Sequence, residues 1–280
     1  MRKSTFFLLF VFLNWFQLFA QHDTTTFVRQ YPSLNKEYFK SYWTDGKGVL
    51  LSPMQWNTRQ WITASAVVGG GILLYTQDKP IHDFFMEHRS KGMDNMSKYV
   101  FEPFGNGIGT MAFVGTSYLA GSLANNDRLM GTSLTAAKSF IISYALTFGI
   151  KHLAHRHRPL HDNPADPHIW EGPFGNPEYT SFSSGHSAVA FSVATVYALE
   201  YWKTEWVPML AYTLAAGTAV SRMYDNKHWA SDVFIGSAIG CATGAYMWRQ
   251  SKKNKSSARF SLSYLHDGYM LHAVIPIKCK

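Results

Sequence analysis

Three short blocks of the sequence place basic, hydroxyl and histidine side chains at spacings that suit the transfer of an anionic group. The blocks are Lys151 with Arg158-Pro159, then Ser183-Ser184-Gly185-His186, and finally Ser221-Arg222 with His228 and Asp232. Side chains of these types can supply a nucleophile, a proton donor and positive charge for an anion. We therefore expect the chemistry of this chain to come from these blocks brought together in space.

The third block pairs His228 with Asp232 four residues later, which puts both side chains on one face if the segment is helical. The carboxylate can then accept a hydrogen bond from one imidazole nitrogen and leave the other nitrogen with a free lone pair. This is the base-and-orienter half of a catalytic triad, with the histidine itself as the attacking group. The spacing predicts His228 as the nucleophile and Asp232 as the residue that orients it.

The cations of the three blocks predict an anion site. Lys151, Arg158 and Arg222 can hold phosphate oxygens, because arginine offers two parallel hydrogen bonds and lysine acts as a point charge. The run Ser184-Gly185-His186 stands at the start of an apolar segment, where a hydroxyl and free backbone N–H groups of a helix favour an oxyanion. His186 faces the same anion site, and we expect it to protonate the departing oxygen.

Six apolar segments rich in alanine, glycine, serine and threonine must position these blocks. They lie at 61–76, 108–124, 132–151, 187–202, 206–223 and 233–248. Each has the length of a helix and is too long for a strand. The first block ends one segment, the second opens the next, and the third follows the segment that returns. The fold class we expect is therefore all-α, a bundle of about six core helices with the active site at one end.

The remaining parts of the chain predict a leader, a lead-in and a tail. Residues 1–20 have a positive start, an apolar run and a small final residue, typical of a signal peptide or a signal anchor. Residues 21–58 predict an irregular extracytoplasmic lead-in, residues 59–250 the helical bundle, and residues 251–280 a basic linker and tail. Asp267-Gly268 in that tail is a turn dipeptide that predicts a short β-hairpin.

The composition favours an apolar helical protein and excludes some classes of function. Of the 280 residues, 46% are hydrophobic and only 16% are charged, which is a low charged fraction for a soluble domain. The net charge of +8 comes without a zinc-finger or RNA-recognition motif, so an anionic substrate or membrane surface is favoured over nucleic acid. The two cysteines exclude a disulfide scaffold.

The membrane topology has two consistent solutions. If the leader is cleaved and all six segments span, the site faces the cytoplasm, whereas the basic cluster after residue 248 favours a site in the periplasm. Either residues 4–20 remain as an anchor while 61–76 does not span, or the bundle is a soluble or surface-attached periplasmic domain. We expect a membrane-associated protein of the cell envelope whose site faces the periplasm, with a soluble periplasmic protein as the alternative.

The blocks resemble the signature of the type 2 phosphatidic acid phosphatase superfamily, which is KxxxxxxRP, PSGH and SRxxxxxHxxxD, over roughly residues 108–248. The resemblance implies a helical bundle, a phosphohistidine intermediate on His228, acid catalysis by His186 and orientation of the nucleophile by Asp232. The phosphate-binding residues that it implies are Lys151, Arg158, Ser184, Gly185 and Arg222. Ser183 stands where the family usually has proline, a position that shapes the turn.

We therefore expect a metal-independent phosphatase that hydrolyses a phosphomonoester or a diphosphate. The expected substrate is a lipid, such as phosphatidic acid, a polyprenyl diphosphate or a lipid A phosphate. No cofactor is expected, and vanadate is expected to inhibit as a mimic of the transition state. The alternatives are a vanadium-dependent haloperoxidase, a soluble periplasmic non-specific acid phosphatase, and a membrane protein without catalysis. The oligomeric state is left open.

Further histidines have no assigned role in the three signatures. The cluster of His152, His155, His157 and His161 resembles a metal site, but no carboxylate or cysteine joins it at a familiar spacing. We therefore expect no metal there and favour a role in sensing pH or contacting substrate. His82 and His88 are expected in solvated loops.

Overall fold

A computed structural model of the chain describes residues 31–253, together with the backbone of two strands at 259–265 and 268–274. The helices are α1 Lys36–Leu51, α2 Thr58–Tyr75, α3 Asp78–Glu87, α4 Lys91–Met96, α5 Glu102–Gly105, α6 Gly107–Leu123, α7 Asp127–Ala154, α8 Gly185–Glu200, α9 Trp206–Tyr224 and α10 Ala230–Lys252. The strands are β1 Arg259–Leu265 and β2 Gly268–Val274. The predicted signal peptide or anchor lies outside the described residues.

Helix α8 is the centre of the bundle and packs against α7, α9 and α10. One apolar cluster joins Val196 of α8 to Ala136 of α7 and Val114 of α6. A second cluster joins Phe191 of α8 to Ala219 of α9. The six apolar segments of the sequence correspond to α2 and to α6–α10. The prediction of an all-α helical bundle is confirmed.

Capping fixes where the two helices at the site begin. The Ser184 hydroxyl accepts a hydrogen bond from the Ser187 N–H at 3.4 Å, which sets the first turn of α8. At the start of α10, the Asp232 carboxylate accepts from the Trp229 N–H at 3.1 Å. Two residues with predicted roles in the chemistry therefore also set the helix starts that position them.

Glycines on α10 let this helix lie directly against the backbone of α8. A Cβ atom on Gly240 would come closer than 3.0 Å to the carbonyl oxygen of Ala188, and one on Gly236 would do the same to Ser184. Only a residue without a side chain fits at such a contact. The approach holds the first turns of α8 and α10 together, and with them the second and third sequence blocks.

Replacing Gly240 with alanine is expected to destabilise the protein, because the added methyl group meets backbone that cannot rotate away. Overpacking of this kind costs about 1–3 kcal/mol. Gly69→Ala is the matched control, since a Cβ atom at that helical position would have nothing within 4 Å. We expect a lower thermal midpoint for G240A and an equal or higher one for G69A. Equal midpoints for G240A and the unmodified protein would contradict the close approach.

The predicted irregular lead-in over residues 21–58 is wrong where α1 and the start of α2 lie. The Tyr38 hydroxyl of α1 donates to the Leu134 carbonyl of α7 at 2.8 Å. Asp45 forms an ion pair with Lys138 of α7 at 2.7 Å. Because polar and aromatic contacts hold α1 in place, it lacks the apolar periodicity that would have predicted a helix.

The expectation that His82 lies in a solvated loop is also wrong. His82 belongs to α3, and its side chain is 12% exposed. Its ring nitrogens lie 3.0 Å from Asp83 and 2.8 Å from Asn226, which is in the turn before His228. His88 is exposed at the end of α3. The region around α3 therefore packs beside the third block instead of lying apart from it.

Two further predictions concern the tail and the membrane. The backbone of β1 pairs antiparallel with β2, with Leu265 opposite Gly268, where the Asp-Gly dipeptide predicts a hairpin. Among the described helices, α7 is long and apolar enough to cross a membrane by length and composition. Of its most apolar 18-residue window, 44% is buried within the protein, and the core helix of a soluble protein passes the same test of length and composition.

Candidate active site

The three sequence blocks meet at one end of the bundle. Gly185 lies against Lys151, because a Cβ atom on the glycine would stand 3.7 Å from the lysine Cε. The Ser184 N–H donates to the backbone carbonyl of Asp232 at 3.0 Å. The His228 N–H donates to the carbonyl of Arg222 at 3.2 Å. These contacts join the end of α7, the start of α8, the end of α9 and the start of α10 around one site.

His228 is buried and faces Asp232. Its Nδ1 atom lies 3.8 Å from Oδ2 of the carboxylate, which is longer than a hydrogen bond. Burial lowers the pKa of His228 to about 3, so that the imidazole is neutral at pH 7. A neutral imidazole has the free lone pair that a nucleophile needs. The side chains of His228 and Asp232 therefore face each other, but no hydrogen bond joins them at this distance.

Three donors hold the Asp232 carboxylate. Oδ1 accepts from Arg156 at 2.6 Å, and Oδ2 accepts from the Ser181 hydroxyl at 2.5 Å and from the Trp229 N–H at 3.1 Å. Burial alone would raise the pKa of Asp232, but the charge of Arg156 and the contact with His228 outweigh it and hold the pKa at about 2. The carboxylate is thus ionised and fixed beside His228.

Two of these donors were missed by sequence reasoning. Arg156 occupies one of the six unassigned positions inside the first block, two residues before Arg158, and nothing in that spacing distinguishes it. Ser181 lies just before the second block and carries no motif of its own. No local pattern therefore marked either donor.

Lys151 and Arg158 converge on the loop that precedes α8. The Lys151 ammonium donates to the carbonyl oxygens of Thr180 and Ser181. Arg158 donates to the Thr180 hydroxyl at 3.2 Å, and its Nε–H is buried with no hydrogen-bond partner within the described part of the chain. Burial and then the nearby charge of Arg222 lower the pKa of Arg158. An anion at this position would relieve both the repulsion and the unpaired donor.

Arg222 is buried and already contacts carboxylates. Its guanidinium donates to Asp225 at 2.9 Å and lies 3.7 Å from Glu102 of α5. Its Nε–H donates to the Ser221 hydroxyl at 3.2 Å. Sequence reasoning identified neither carboxylate. A bound phosphate would share this arginine with Asp225 and Glu102.

The start of α8 supplies hydroxyl and backbone groups next to His186. The Ser184 hydroxyl accepts from the Ser187 hydroxyl at 2.9 Å. The Ser183 hydroxyl is fully buried and finds no hydrogen-bond partner among the residues that the structure describes. Burial, followed by the charge of Arg222, lowers the pKa of His186 to about 3. A bound phosphate would oppose that charge and raise this pKa, so the proton on His186 is expected to accompany the anion.

The histidine cluster beside the first block has carboxylate partners that its spacing did not predict. His157 lies 3.1 Å from Asp162 and 3.3 Å from Glu171, and it stacks on Tyr179. His155 and His152 instead contact backbone carbonyls. Across residues 31–253, no group of three potential ligands is arranged to hold a metal ion. Three of the four histidines, His152, His155 and His157, thus have hydrogen-bond partners among the described residues.

Comparison with known protein families finds a match in the region that contains all three blocks. The family model described as PAP2 superfamily matches residues 132–256. This match confirms, for residues 132–256, the resemblance predicted from the blocks.

Individual relatives are similar over different extents. The chain is 46% identical over 65 residues to the Lipid A 1-phosphatase of Porphyromonas gingivalis, an alignment that covers 23% of this chain and 15% of that protein. The chain thus spans under a sixth of the length of this relative. A crystal structure of the first transmembrane PAP2 type phosphatidylglycerolphosphate phosphatase from Bacillus subtilis aligns with a TM-score of 0.49 at 16% identity, over 78% of this chain and 96% of that one.

Proposed function

We propose that the chain is a phosphatase that hydrolyses a phosphomonoester or diphosphate through a phosphohistidine on His228. The observation that carries this proposal is a buried, neutral His228 facing an ionised Asp232 at an anion site. That site contains three cations and the start of a helix. Positive charge and backbone N–H groups stabilise the equatorial oxygens of a transferring phosphoryl group.

In the first step, Lys151, Arg158 and Arg222 hold the phosphate, and His228 attacks phosphorus. Because Nδ1 faces Asp232, the lone pair of Nε2 forms the new N–P bond. The bond between phosphorus and the leaving oxygen breaks, and His186 gives that oxygen a proton. The products of this step are a phosphohistidine, whose positive charge Asp232 stabilises, and an alcohol from a phosphomonoester or a phosphate from a diphosphate.

In the second step, water attacks the phosphorus of the phosphohistidine. His186 is now neutral and accepts a proton from this water. The N–P bond breaks, inorganic phosphate leaves, and His228 regains its lone pair. His186 therefore acts as the acid in one step and the base in the next, and it ends the cycle in its original state.

A phosphorylated lipid is the substrate class that we propose. Large apolar side chains are exposed on the long helices, with Ile108 88% exposed and Leu123 87% exposed on α6. Exposed apolar surface of this kind is typical of contact with lipid. A relative that matches over 65 residues has the name Lipid A 1-phosphatase. We further propose that the protein is membrane-associated and that its site faces the periplasm.

A substrate panel tests the proposed function. The purified protein is incubated with phosphatidic acid, a polyprenyl diphosphate and a lipid A phosphate in mixed micelles, and with a soluble aryl phosphate, each with and without EDTA. We expect phosphate release that vanadate inhibits and EDTA does not, with a higher kcat/KM for at least one lipid. Equal kcat/KM for lipid and soluble esters would indicate a non-specific acid phosphatase. Inactivity on every ester would contradict the proposal.

A further inference from the structure

Arg156 lies between Asp78 and Asp232 in a buried group of three charged side chains behind the site. Its side chain has no exposed surface and forms ion pairs with Asp232 at 2.6 Å and with Asp78 at 2.7 Å. Both carboxylates are also fully buried. Since removing one member of a buried ion pair leaves an uncompensated charge, the three side chains depend on one another.

Every N–H donor of Arg156 has a partner, which fixes the guanidinium in one orientation. Nε donates to the Pro167 carbonyl at 3.1 Å, and the terminal nitrogens donate to Pro167, Ser231, Asp232 and Asp78. Five N–H groups are all that an arginine has. Three aromatic rings also lie within 5.5 Å of the guanidinium carbon, namely those of Tyr75, Trp170 and Trp229. The guanidinium therefore cannot turn without breaking several contacts.

Asp78 ties this arginine to the start of α10. One of its oxygens accepts from the Ser231 N–H at 2.8 Å, and the other accepts from the Ser231 hydroxyl at 2.6 Å and from Arg156. Burial raises the pKa of Asp78 overall, although the contacts with Ser231 and Arg156 lower it in part. Each oxygen accepts hydrogen bonds, which suits an ionised carboxylate. Ser231 immediately precedes Asp232. The carboxylates of Asp78 and Asp232 therefore both anchor the first turn of α10.

The arrangement determines which oxygen of Asp232 faces the nucleophile. Arg156 occupies Oδ1, and Oδ2 lies toward His228. With one cation and two carboxylates, the group of Asp78, Arg156 and Asp232 has a net charge of −1. Without Asp78, the charge of Asp232 would be cancelled by Arg156. The carboxylate would then stabilise a positively charged His228 less well.

We propose that Arg156 and Asp78 are positioning residues for the nucleophile, which act through Asp232. Arg156 fixes the carboxylate, and Asp78 compensates the arginine so that Asp232 keeps its effective charge. This inference rests on the proposed phosphatase function. Neither residue lies in the anion site itself, so both should affect the chemical step more than the binding of phosphate.

The test uses Asp78→Asn and Arg156→Lys in the full chain, with Glu200→Gln as the matched control. Glu200 is also a buried carboxylate in ion pairs, but it lies at the opposite end of α8. The substrate is whichever ester of the panel the unmodified protein hydrolyses fastest. We expect kcat to fall about 10- to 100-fold in D78N and R156K, as for other residues that orient a functional group from behind. We expect KM and the inhibition constant of inorganic phosphate to change less than about twofold.

The activity of the unmodified protein tests the proposed function, and the activity of the variants tests the inference about Arg156 and Asp78. An unmodified protein that is inactive on all esters refutes the proposed function. An active unmodified protein together with a folded D78N or R156K of unchanged kcat overturns the inference. A raised KM with unchanged kcat also overturns the inference, because Arg156 and Asp78 would then affect substrate binding and not the chemical step. If both variants unfold while E200Q stays folded by thermal denaturation, the charges are structural and the inference is wrong.

Discussion

Replacement of His228 by alanine is expected to lower kcat for phosphate release by about 10⁴-fold or more, as when the nucleophile of a covalent mechanism is removed. The reason is that the other residues of the site can bind phosphate but cannot form the bond to phosphorus. The measurement is phosphate release at saturating substrate, with the inhibition constant of inorganic phosphate determined in parallel. We expect that constant to stay within a few-fold, since the three cations remain.

His88→Ala is the control for this loss, because His88 is an exposed histidine at the end of α3 and away from the three blocks. Its kcat should equal that of the unmodified protein. If H228A retained more than a few per cent of the activity while H88A was unchanged, His228 would not be the nucleophile. The anion site would then have to activate a water molecule directly.

Replacement of His186 by alanine is expected to have the second largest effect, and its size should depend on the leaving group. General acid catalysis contributes about 10²–10⁴-fold. An alkyl phosphate, like a lipid ester, releases a basic alkoxide that needs the proton, so H186A should lose this full factor. A nitrophenyl phosphate releases a stable phenolate, so its phosphorylation step should slow far less. The measurement compares kcat/KM for both esters in both proteins.

The leaving-group comparison separates acid catalysis from simple binding. If His186 only binds phosphate, H186A loses the same factor on both esters, because both present the same phosphoryl group. An equal loss would therefore contradict the assigned role. Unequal losses would support a proton transfer from His186 even if the fold of H186A were slightly destabilised, since instability acts equally on both substrates.

The long helices could be predicted because their apolar length is a local property of the sequence. The segment 132–151 and the segment 233–248 fall inside α7 and α10, and the structure adds one or two turns at their polar ends. The helix α1 could not be predicted in this way. It is held by a tyrosine hydroxyl and an ion pair to α7, which are contacts between residues far apart in the chain.

The same distinction applies to the site. The spacing of His228 and Asp232 is local, and it predicted two neighbouring side chains, which the structure places 3.8 Å apart. The helical setting of that prediction is wrong for His228, which lies in the bend before α10 begins at Ala230. The partner of Asp78 is Ser231, more than a hundred residues away, so no pattern near either residue could reveal the contact. The separation of 3.8 Å between His228 and Asp232 also depends on how Arg156 holds the carboxylate.

The most direct test of the central claim is to trap the phosphoryl group on His228. The protein is mixed with substrate that carries a labelled phosphoryl group, and the reaction is stopped within one turnover under alkaline denaturing conditions that preserve phosphohistidine. The account predicts labelled protein, with the label on the peptide that contains His228 and none on H228A. Full turnover without labelled protein, or label that persists on H228A, would contradict it.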